Sequence, residues 1–515
     1  MTPEVIVTGG GPVGLMTACE LQLAGISTVV LERLPKPSGQ SRALGLHSRT
    51  VEVFDQRGLL DRVEEEAPVW PKGHFAGLRK VDLTKLRGAY NYALMVPQSR
   101  TEELLARRAT ELGADIRRGH RLTGLETAQD GVTAVVEGPH GEYRLAAGHL
   151  VGCDGGASTV RKLAGIAFPG TPSTINAVLG DVEILGDQPQ ARELHRLPGG
   201  LFGMIPLGAG LFRVVAVEFD TEPVPRDVPM TVAELHRTAQ RVSGLDLPIG
   251  ASHWLSRFGN ATRQAETYRK GRVLLVGDAA HIHFPAGGQG LNTGIQDAVN
   301  LGWKLAATIR GHAPDGLLDT YHAERHPVGH RVCLNTRAQL ALMHPGEHIT
   351  PLRDLFSELM DLDQVNTYLA EMITGLDIRY PMATGDATAP DGTGPDTRHP
   401  LLGRRVPALR LTTTEGATSP SRLLHQADGL LLDFTADGSL AEPAAPWKDR
   451  VRHIPCTPEE GQAEADGLRA LLVRPDGYVA WASTDARDTD RLRTALTTWF
   501  GAPAAGAPHA PRRTP

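Results

Sequence analysis

The sequence predicts an α/β protein in which a parallel-sheet domain is interrupted by an antiparallel sheet domain and followed by a smaller α/β unit. Residues 4–31 have the pattern strand, glycine loop, helix, strand, which is typical of a βαβ unit. Residues 174–264 contain strand-like segments around one helix, which favours an antiparallel sheet. A buried, parallel-type strand returns at residues 273–276, so the second domain lies inside the first.

Each element has its own signal in the sequence. In the first βαβ unit, β-branched strands at 5–7 and 28–31 enclose a helix that Gly25 ends. Ser99 and Glu102 fit a capping box that opens a helix to about residue 112. The remaining predictions are antiparallel strands at 177–184, 201–206, 211–219 and 252–258, with 75–95 joining their sheet, helices near 231–242 and 296–309, and a hairpin at 471–481 with a Pro-Asp-Gly turn.

The changes in pattern also predict the domain bounds. At 515 residues the chain is too long for one ordinary core. A stretch rich in Pro, Gly, Asp and Thr is predicted to be a linker. The predicted units are the first part of the parallel-sheet domain (1–173), the antiparallel sheet domain (174–264), the second part with long helices (265–380), the linker (381–400), the small α/β unit (401–500) and a flexible tail (501–515).

Composition and charge exclude several function classes. The chain has 53 basic and 59 acidic residues, and a formal net charge of −6 gives no reason to expect nucleic acid or an anionic membrane as a partner. No run of about 18 apolar residues predicts a membrane span. The 4 cysteines contain no C-x-x-C pair, which is typical of reduced thiols in a cytoplasmic protein.

The first segment with chemistry is a G-x-G-x-x-G pattern between a strand and a helix. Gly9 permits a tight turn, Gly11 lets the backbone approach a pyrophosphate, and Gly14 lets helix and strand pack closely. Glu32 follows at the end of the next strand, where a carboxylate accepts hydrogen bonds from a ribose and repels a 2′-phosphate. The pattern predicts a dinucleotide site, and the alternative is a glycine-rich turn without a ligand.

Two later segments place an aspartate at the carboxyl end of a strand, where ligands of open α/β sheets bind. Asp154 follows the strand end at 149–151, and Asp278 follows the strand at 273–276 and can accept a ribityl hydroxyl. The chain then continues into residues 287–292, the flavin turn, whose small residues allow the backbone to approach a flat ring. Because this turn opens a helix, its N–H groups are predicted to face the O2/N1 edge of a flavin and to stabilise negative charge there.

These three segments, in this order, resemble the single-component (group A) FAD-dependent aromatic hydroxylases, which have the p-hydroxybenzoate hydroxylase fold. Asp154 to Arg161 resembles the Asp-Gly motif of that family, and Gly277-Asp278 its Gly-Asp motif. The resemblance covers residues 1–385 well and the last 100 residues in outline. It implies a Rossmann-like FAD-binding domain, an inserted α+β substrate domain and a C-terminal thioredoxin-like domain, which here has no dithiol.

Within the family the chain is most similar to actinobacterial hydroxylases of polyketide antibiotics and to rifampicin monooxygenase. The segments that carry this similarity are 41–47, 97–98, 254–265 and 321–327. At 283–285 the chain has His-Phe-Pro, and an aromatic in the middle position resembles the angucycline group more than the rifampicin enzymes.

The resemblance implies an FAD-dependent monooxygenase that consumes NAD(P)H and O2 and hydroxylates a phenolic, polyketide-type aromatic through a flavin C4a-hydroperoxide. Because no second G-x-G-x-x-G is present, NAD(P)H is expected to dock transiently. Alternatives are Baeyer–Villiger or ring-opening oxygenation, oxidative inactivation of a rifamycin-type antibiotic, and a flavin-binding sensor or carrier. A homodimer is left open.

The resemblance also assigns site residues. Arg42 is the expected guard of a mobile flavin ring and Pro285 a backbone contact to flavin and substrate, while Arg213 is either a flavin or substrate contact or an ordinary surface arginine. No metal site is expected, since the histidines near 281 and 322–326 do not form H-E-x-x-H. The expected FAD contacts are Gly9, Gly11, Pro12, Val13, Gly14, Glu32, Arg33, Arg42, Gln98, Leu122, Asp154, Asp278, Pro285, Gly288, Gly290, Leu291 and Asn292. The expected pocket walls, each of which is also consistent with ordinary core, are Phe75, Tyr92, Phe202, Met204 and Phe284.

Overall fold

The computed structural model describes residues 2–504, with gaps at 66, 187–191, 209, 223, 225–227, 383–398, 436 and 486. Most of the predicted linker and tail therefore lies outside the described residues. The elements of the first segment are β1 (Val5–Thr8), α1 (Pro12–Leu23), β2 (Thr28–Glu32), α2 (Ser48–Asp55), α3 (Asp61–Glu64), β3 (Val69–Trp70), β4 (Lys72–Phe75), β5 (Leu78–Asp82), β6 (Ala93–Leu94), α4 (Gln98–Glu111), β7 (Asp115–Arg118), β8 (Arg121–Thr127), β9 (Val132–Gly138), β10 (Gly141–Ala147), β11 (His149–Gly152) and α5 (Thr159–Leu163).

The middle of the chain carries a second sheet and then long helices. Its first elements are β12 (Gly170–Thr171), β13 (Ile175–Ile184), β14 (Arg192–Leu197), β15 (Gly200–Gly208), β16 (Leu211–Phe219), α6 (Val232–Ser243), β17 (Ile249–Phe258) and β18 (Thr262–Gln264). They are followed by β19 (Arg269–Lys270), β20 (Val273–Leu275), β21 (His281–Ile282), α7 (Gln289–Ile309), α8 (Thr320–Met343), α9 (Thr350–Leu359) and α10 (Asp363–Thr374).

The main sheet has the order β19-β20-β11-β1-β2-β7, and all its neighbours except β19 and β20 are parallel. Its central strand β1 is buried along its whole length, as expected for an apolar strand covered on both faces. Strand β20 joins this sheet from beyond the second domain. Because β1, β11 and β20 are parallel neighbours, their carboxyl ends meet at one edge of the sheet.

The second sheet has the order β14-β15-β16-β13-β17, and its strands alternate between two faces. One face, with Val178 and Val214, packs against Leu235 of α6. The other face, with Ala177 and Val217, belongs to an apolar cluster that also contains Phe284 and Leu342 of α8. We call this second face the inner face.

Three sequence-based predictions differ from the structure. Residues 75–95 do not join the five-stranded sheet, because in the described chain they form the separate pairs β3–β6 and β4–β5. Helix α7 begins at Gln289 and not at residue 296, so the glycine-rich segment is already helical there. Helix α4 begins at Gln98 with Pro97 before it, so Ser99 lies inside the helix and the predicted capping box is wrong.

The C-terminal unit contains β22 (Leu411–Thr413), β23 (Gly416–Thr418), α11 (Pro420–Leu423), β24 (Gly429–Asp433), α12 (Ala441–Ala444), β25 (Val451–Pro455), β26 (Thr457–Pro458), β27 (Ala470–Val473), β28 (Val479–Ser483) and α13 (Thr489–Phe500). Its larger sheet has the order β25-β24-β27-β28. The predicted hairpin is present as β27 and β28. Its turn enters the main domain, where buried Arg474 binds Glu324 of α8 at 2.7 Å.

No helix in the described part of the chain is both long and apolar enough to span a membrane.

Candidate functional site

The glycine loop after β1 is shaped by close contacts that only glycine allows. Gly9 has φ +106°, and a Cβ there would lie 2.4 Å from the carbonyl oxygen of Cys153. A Cβ at Gly14 would lie 2.0 Å from the carbonyl oxygen of Gly9. At Gly11, by contrast, a Cβ would meet no described atom within 4 Å. The space beside Gly11 is open at the N-terminus of α1, where no described side chain caps the helix and its N–H groups can bind an anion.

Glu32 stands at the end of β2 beside this loop. Its carboxylate accepts hydrogen bonds from the backbone N–H of Gly10 at 2.7 Å and of Leu34 at 2.8 Å. Each carboxylate oxygen keeps a second lone pair for a ribose hydroxyl. Arg33 beside it is exposed.

Asp154 is used by its own chain. Its carboxylate accepts from the Ser158 hydroxyl at 2.5 Å and from the N–H groups of Thr159 and Val160 at the start of α5. Arg161 of that helix donates to the carbonyl oxygen of Ala279 at 2.8 Å. The Asp-Gly segment therefore braces the segment around Asp278, and its direct contact with a cofactor stays a prediction.

Asp278 has the opposite character, because it is exposed and makes no hydrogen bond to a described residue. It lies beside the flavin turn, since a Cβ at Gly290 would be 3.8 Å from its Oδ1. Gly287 and Gly288 are both left-handed, with φ +69° and +66°, and Gly288 precedes α7 without a described side-chain cap. A carboxylate and the uncapped start of a helix thus face the same space.

Asn292 holds the flavin turn in place. Its Oδ1 accepts from the His47 N–H at 2.8 Å, and its Nδ2 donates to the carbonyl oxygens of Gly288 at 3.0 Å and Gly45 at 3.2 Å. The neighbouring Leu291 and Gly290 belong to the first turn of α7. The side chain of Asn292 is therefore committed to the protein, and its backbone is the part left to face a cofactor.

His47 links this turn to α10. Its Nδ1 lies 3.1 Å from the carbonyl oxygen of Ile373. Burial lowers the pKa of His47 to about 4, so the imidazole is neutral at neutral pH.

A buried charged group beneath the site was not found from the sequence. Asp297 of α7 binds Arg325 of α8 at 2.6 Å and His281 at 2.8 Å, and it accepts the Gly277 N–H at 3.3 Å. Arg325 also donates to the carbonyl oxygen of Thr293 at 3.1 Å. Burial raises the pKa of Asp297, but Arg325 and His281 outweigh burial and hold it below its usual range. Asp297 and Arg325 therefore fix the turn that carries Asp278 relative to α7.

Arg42 and Arg213 meet at the boundary with the second sheet. Arg42 is exposed, and its guanidinium donates a hydrogen bond to the side chain of Gln40. The side-chain oxygen of Gln98 accepts the N–H of the next residue, Ala43, at 3.3 Å. Arg213 is 2 % exposed and forms two hydrogen bonds with Asp181, at 2.8 and 2.9 Å. Its Nη1 lies 3.5 Å from the carbonyl oxygen of Arg42. The surface alternative for Arg213 is therefore excluded.

The inner face of the second sheet carries Arg213 in a polar row across the strands. Arg213 pairs across the strands with Asp181, which pairs with Trp254, and the indole donates to Asp181 at 2.7 Å. The next row contains Val215, Leu179 and Ser256, which are partly exposed. This row was not predicted from the sequence. Alternate residues of β13 and β16 point to the same face, so the row could have been identified once one residue of the inner face was known.

The residues predicted to form the pocket walls lie on both sides of the second sheet. Phe75 and Phe284 pack on the inner-face side, where their rings lie 5.1 Å from Phe356 and 5.9 Å from Phe258 respectively. Phe202 and Met204 are fully buried on the opposite face, against α6, and cannot line a pocket on the inner face.

Two further predicted site residues have known contacts within the protein, and their roles at the site stay predictions. Tyr92 is partly exposed and donates to Glu64 at 2.8 Å. Leu122 belongs to the core of the main domain.

Val13, in the first turn of α1, packs against the glycine turn after β20 and against the start of α7. A Cβ at Gly294 would lie 2.5 Å from Cγ2 of Val13, and a Cβ at Gly277 would lie 3.1 Å from Cγ1 of Val13. Pro12 is the first residue of α1, and the exposed Pro285 lies two residues before the flavin turn. The glycine loop, Asp278 and the flavin turn are thus brought together.

The chain matches known families over most of its length. Residues 2–336 match a model described as FAD binding domain, and residues 399–503 match one described as aromatic-ring hydroxylase, C-terminal.

Named relatives span the whole chain. It is 48% identical over 518 residues to the 12-dehydrotetracycline 5-monooxygenase/anhydrotetracycline 6-monooxygenase of Streptomyces rimosus, covering 98% of this chain and 100% of the relative. It is 48% identical over 510 residues to the rifampicin monooxygenase of Streptomyces venezuelae, with the same coverage. Among solved structures, an anhydrotetracycline hydroxylase from Streptomyces rimosus has a TM-score of 0.90 at 48% identity over 98% of this chain and 100% of that one.

Proposed function

The chain belongs to the family of FAD-binding aromatic-ring hydroxylases, and from this membership we propose that it hydroxylates a phenolic, polyketide-type aromatic compound. It is a flavoprotein monooxygenase. The observation that carries the proposal is the 48% identity, over nearly the whole chain, to a monooxygenase of tetracycline intermediates. Both family matches and the arrangement of the site agree with it.

The residues of the site fit FAD. Gly9 and Gly14 form a turn that a Cβ would disrupt, and the space beside Gly11 is open at the start of α1. We infer that the pyrophosphate lies there and that Glu32 binds the adenosine ribose. Asp278, exposed and without a described partner, suits a ribityl hydroxyl, and the flavin turn suits the pyrimidine edge of the ring.

FAD, when bound, supplies the redox and oxygen chemistry, and the protein supplies position and charge. The N-terminus of α7 favours negative charge beside it, because its first N–H groups have no partners within the helix. Asp297 and Arg325 keep that helix end and Asp278 in fixed relation. The partly exposed row of Leu179, Val215 and Ser256 orients a flat apolar substrate on the inner face.

NAD(P)H and O2 are proposed as co-substrates. The chain has one G-x-G-x-x-G pattern, so a separate nicotinamide domain is not proposed. Arg42 is exposed at the boundary between the domains, and its carbonyl oxygen is 3.5 Å from buried Arg213. We infer that this pair controls the space into which the flavin ring moves to meet NAD(P)H.

We also infer that the C-terminal unit is thioredoxin-like and structural. Strand β24 pairs in parallel with β25 after an intervening helix, and β27 and β28 form an antiparallel hairpin followed by α13. This order is that of a thioredoxin motif, and the unit has one cysteine, Cys456, which is buried. The domain bounds, a homodimer and a cytoplasmic location stay predictions from the sequence.

Product analysis tests the proposed reaction. The purified enzyme with FAD and NADPH is incubated with anhydrotetracycline, an angucyclinone and rifampicin, and NADPH oxidation and product mass are measured. We expect an aromatic polyketide to accelerate NADPH oxidation and to gain one oxygen atom without ring opening. If none of the three accelerates the oxidation, the proposal is contradicted.

Oxidation of a rifamycin is the second candidate, because the rifampicin monooxygenase relative is also 48% identical over 98% of the chain. The same experiment decides between the two. If rifampicin alone accelerates NADPH oxidation, the second candidate replaces the first.

A further inference from the structure

Three buried amide side chains form one continuous hydrogen-bonded chain at the flavin turn. Gln339 and Asn335 lie four residues apart on one face of α8, and Gln289 is the first residue of α7. Nε2 of Gln339 donates to Oδ1 of Asn335 at 3.3 Å, and Nδ2 of Asn335 donates to Oε1 of Gln289 at 3.0 Å. All three residues are buried. We call them the amide chain.

Both ends of the amide chain bind backbone groups. The N–H of Ala76 donates to Oε1 of Gln339 at 3.0 Å, and Nε2 of Gln289 donates to the carbonyl oxygen of Ala286 at 3.2 Å. A backbone N–H only donates and a carbonyl oxygen only accepts, so each end sets the orientation of the amides independently. The two orientations agree, since every amide accepts at its oxygen and donates from its nitrogen in the same direction. The amide dipoles therefore add, with their positive ends toward the flavin turn, and each hydrogen bond strengthens the next.

The end of the amide chain at Ala76 is fixed by its surroundings. Ala76 lies at the tip of the hairpin formed by β4 and β5, is completely buried and has φ +52°, which is uncommon for a residue other than glycine. Its carbonyl oxygen accepts from Arg353 of α9 at 2.7 Å, so both of its backbone polar groups are bound. The adjacent Phe75 belongs to the same apolar cluster as Val217 of the inner face. The amide chain thus connects the flavin turn to a fixed point on the inner-face side.

The other end acts on the peptide group that leads into the flavin turn. The carbonyl oxygen of Ala286 and the N–H of Gly287 belong to one peptide group, so a hydrogen bond to this oxygen makes this N–H more positive. The amide nitrogens of Gln289 and Gln339 also lie against Gly287, because a Cβ at Gly287 would be 3.5 Å from each of them. The amide chain therefore supports the left-handed conformation of Gly287 and polarises the start of the turn.

We propose that the amide chain positions the flavin turn and raises the reduction potential of bound FAD. This proposal rests on the proposed placement of the flavin ring against residues 287–292. Reduction adds negative charge at the O2/N1 edge of the ring, and fixed dipoles with their positive ends toward that charge stabilise it. The reduced form is therefore stabilised more than the oxidised form. Gln289, Asn335 and Gln339 act through the turn, so they are positioning residues.

Reductive titration of the FAD-loaded enzyme against a redox dye, without NADPH or aromatic substrate, tests the proposal. For Gln289→Leu we expect the equilibrium constant of two-electron reduction to fall by at least about tenfold, which makes the potential about 30 mV more negative. Gln339→Leu keeps the bond from Gln289 to Ala286, so a smaller fall of about threefold is expected, or about 14 mV. It is also the second variant in case Gln289→Leu does not fold.

The matched control is Gln296→Leu, the same substitution about two turns later on α7. Gln296 is buried as well, and its side-chain oxygen has no hydrogen-bond partner in the described part of the chain. The potential of this variant should equal that of the wild type.

Three results would overturn the proposal. Equal potentials in the wild type, Gln289→Leu and Gln339→Leu exclude an effect of the amide chain on the flavin. Weaker FAD binding at an unchanged potential shows that the amide chain only supports the fold. A shift of the same size in Gln296→Leu shows that loss of any buried amide on α7 has this effect. None of these results bears on whether the enzyme hydroxylates an aromatic substrate, because the titration contains neither NADPH nor substrate.

Discussion

Asp297 and Arg325 form an ion pair at 2.6 Å, and both side chains are completely buried. The pair joins α7 to α8 beneath the edge where the proposed FAD site lies. Through Gly277 it reaches the turn that carries Asp278, and through Thr293 it reaches the first turns of α7. We infer that the pair positions the cofactor-binding segments without touching the cofactor.

Asp297→Asn should therefore weaken both folding and FAD binding. Removing one charge of a buried pair typically costs about 3–5 kcal/mol, because the remaining guanidinium is left without a counter-charge. Urea unfolding and fluorescence titration of the apoprotein with FAD measure the two effects. The matched control is Glu103→Gln, whose exposed pair with Arg100 should contribute about 0–1 kcal/mol. Equal loss in both variants would contradict the assignment.

Asp278→Asn should lower FAD affinity and leave the stability of the apoprotein unchanged. The carboxylate is exposed and makes no hydrogen bond to a described residue, so the fold loses nothing when its charge is removed. A lost charge-assisted hydrogen bond to a ribityl hydroxyl corresponds to about 1.5–3 kcal/mol of binding free energy.

Asp154→Asn is the matched comparison for Asp278→Asn, since Asp154 accepts hydrogen bonds at the start of α5. Its stability should fall by about 0.5–2 kcal/mol. If Asp278→Asn destabilises the apoprotein as much as Asp154→Asn does, Asp278 has a structural role and its assignment to FAD is wrong.

Two alanine substitutions in the glycine loop should behave in opposite ways. At Gly11 a methyl group meets no described atom within 4 Å, so apoprotein stability should be unchanged or rise by about 0.4–1 kcal/mol. The same methyl group enters the space of the proposed pyrophosphate, and FAD affinity should fall by at least about tenfold, or 1.4 kcal/mol.

Gly14→Ala is expected to destabilise the apoprotein itself by roughly 1–3 kcal/mol. Its methyl group would lie 2.0 Å from the carbonyl oxygen of Gly9. Thermal unfolding without FAD separates the two variants. Normal FAD affinity in Gly11→Ala would place the pyrophosphate elsewhere.

Acidification should weaken the fold through His47. Its pKa is about 4 in the folded protein and near 6.5 when unfolded, so the unfolded chain binds the proton first as the pH falls. Stability attributed to the neutral imidazole is thus complete above about pH 6.5 and is lost progressively toward pH 4, by up to about 3 kcal/mol. Urea unfolding of the wild type and His47→Gln at pH 7.5, 5.5 and 4.5, with the pH values chosen to bracket this window, should show a shallower pH dependence for the variant. Parallel curves would exclude His47 as the cause.

The sequence was sufficient for features that depend on local backbone chemistry. The loop at Gly9, Gly11 and Gly14 was predicted because the turn, the close approach and the helix packing each require glycine at a fixed spacing. The buried strand at 273–276 was also predicted, because a short apolar run is a local signal. The family resemblance supplied the flavin and the oxygenation.

Contacts that depend on long-range packing were not predicted, or were predicted wrongly, from the sequence. Asp297 and Arg325 are 28 residues apart on different helices, and no local pattern indicates that they meet. Phe202 and Met204 were assigned to the wrong face because residues 201–205 of β15 are nearly all apolar, so the sequence does not show which side faces the site. The start of α7 was placed too late because its glycines favour a loop, whereas Gly294 is needed for close packing on Val13.

Isotope labelling of the product tests the central claim most directly. The FAD-loaded enzyme is supplied with NADPH, anhydrotetracycline and ¹⁸O2, and the product is analysed by mass spectrometry. The account predicts one ¹⁸O atom in an intact aromatic product, formed only when enzyme, FAD and NADPH are all present. A product without ¹⁸O, or NADPH oxidation that yields only hydrogen peroxide with every aromatic polyketide tested, would contradict it.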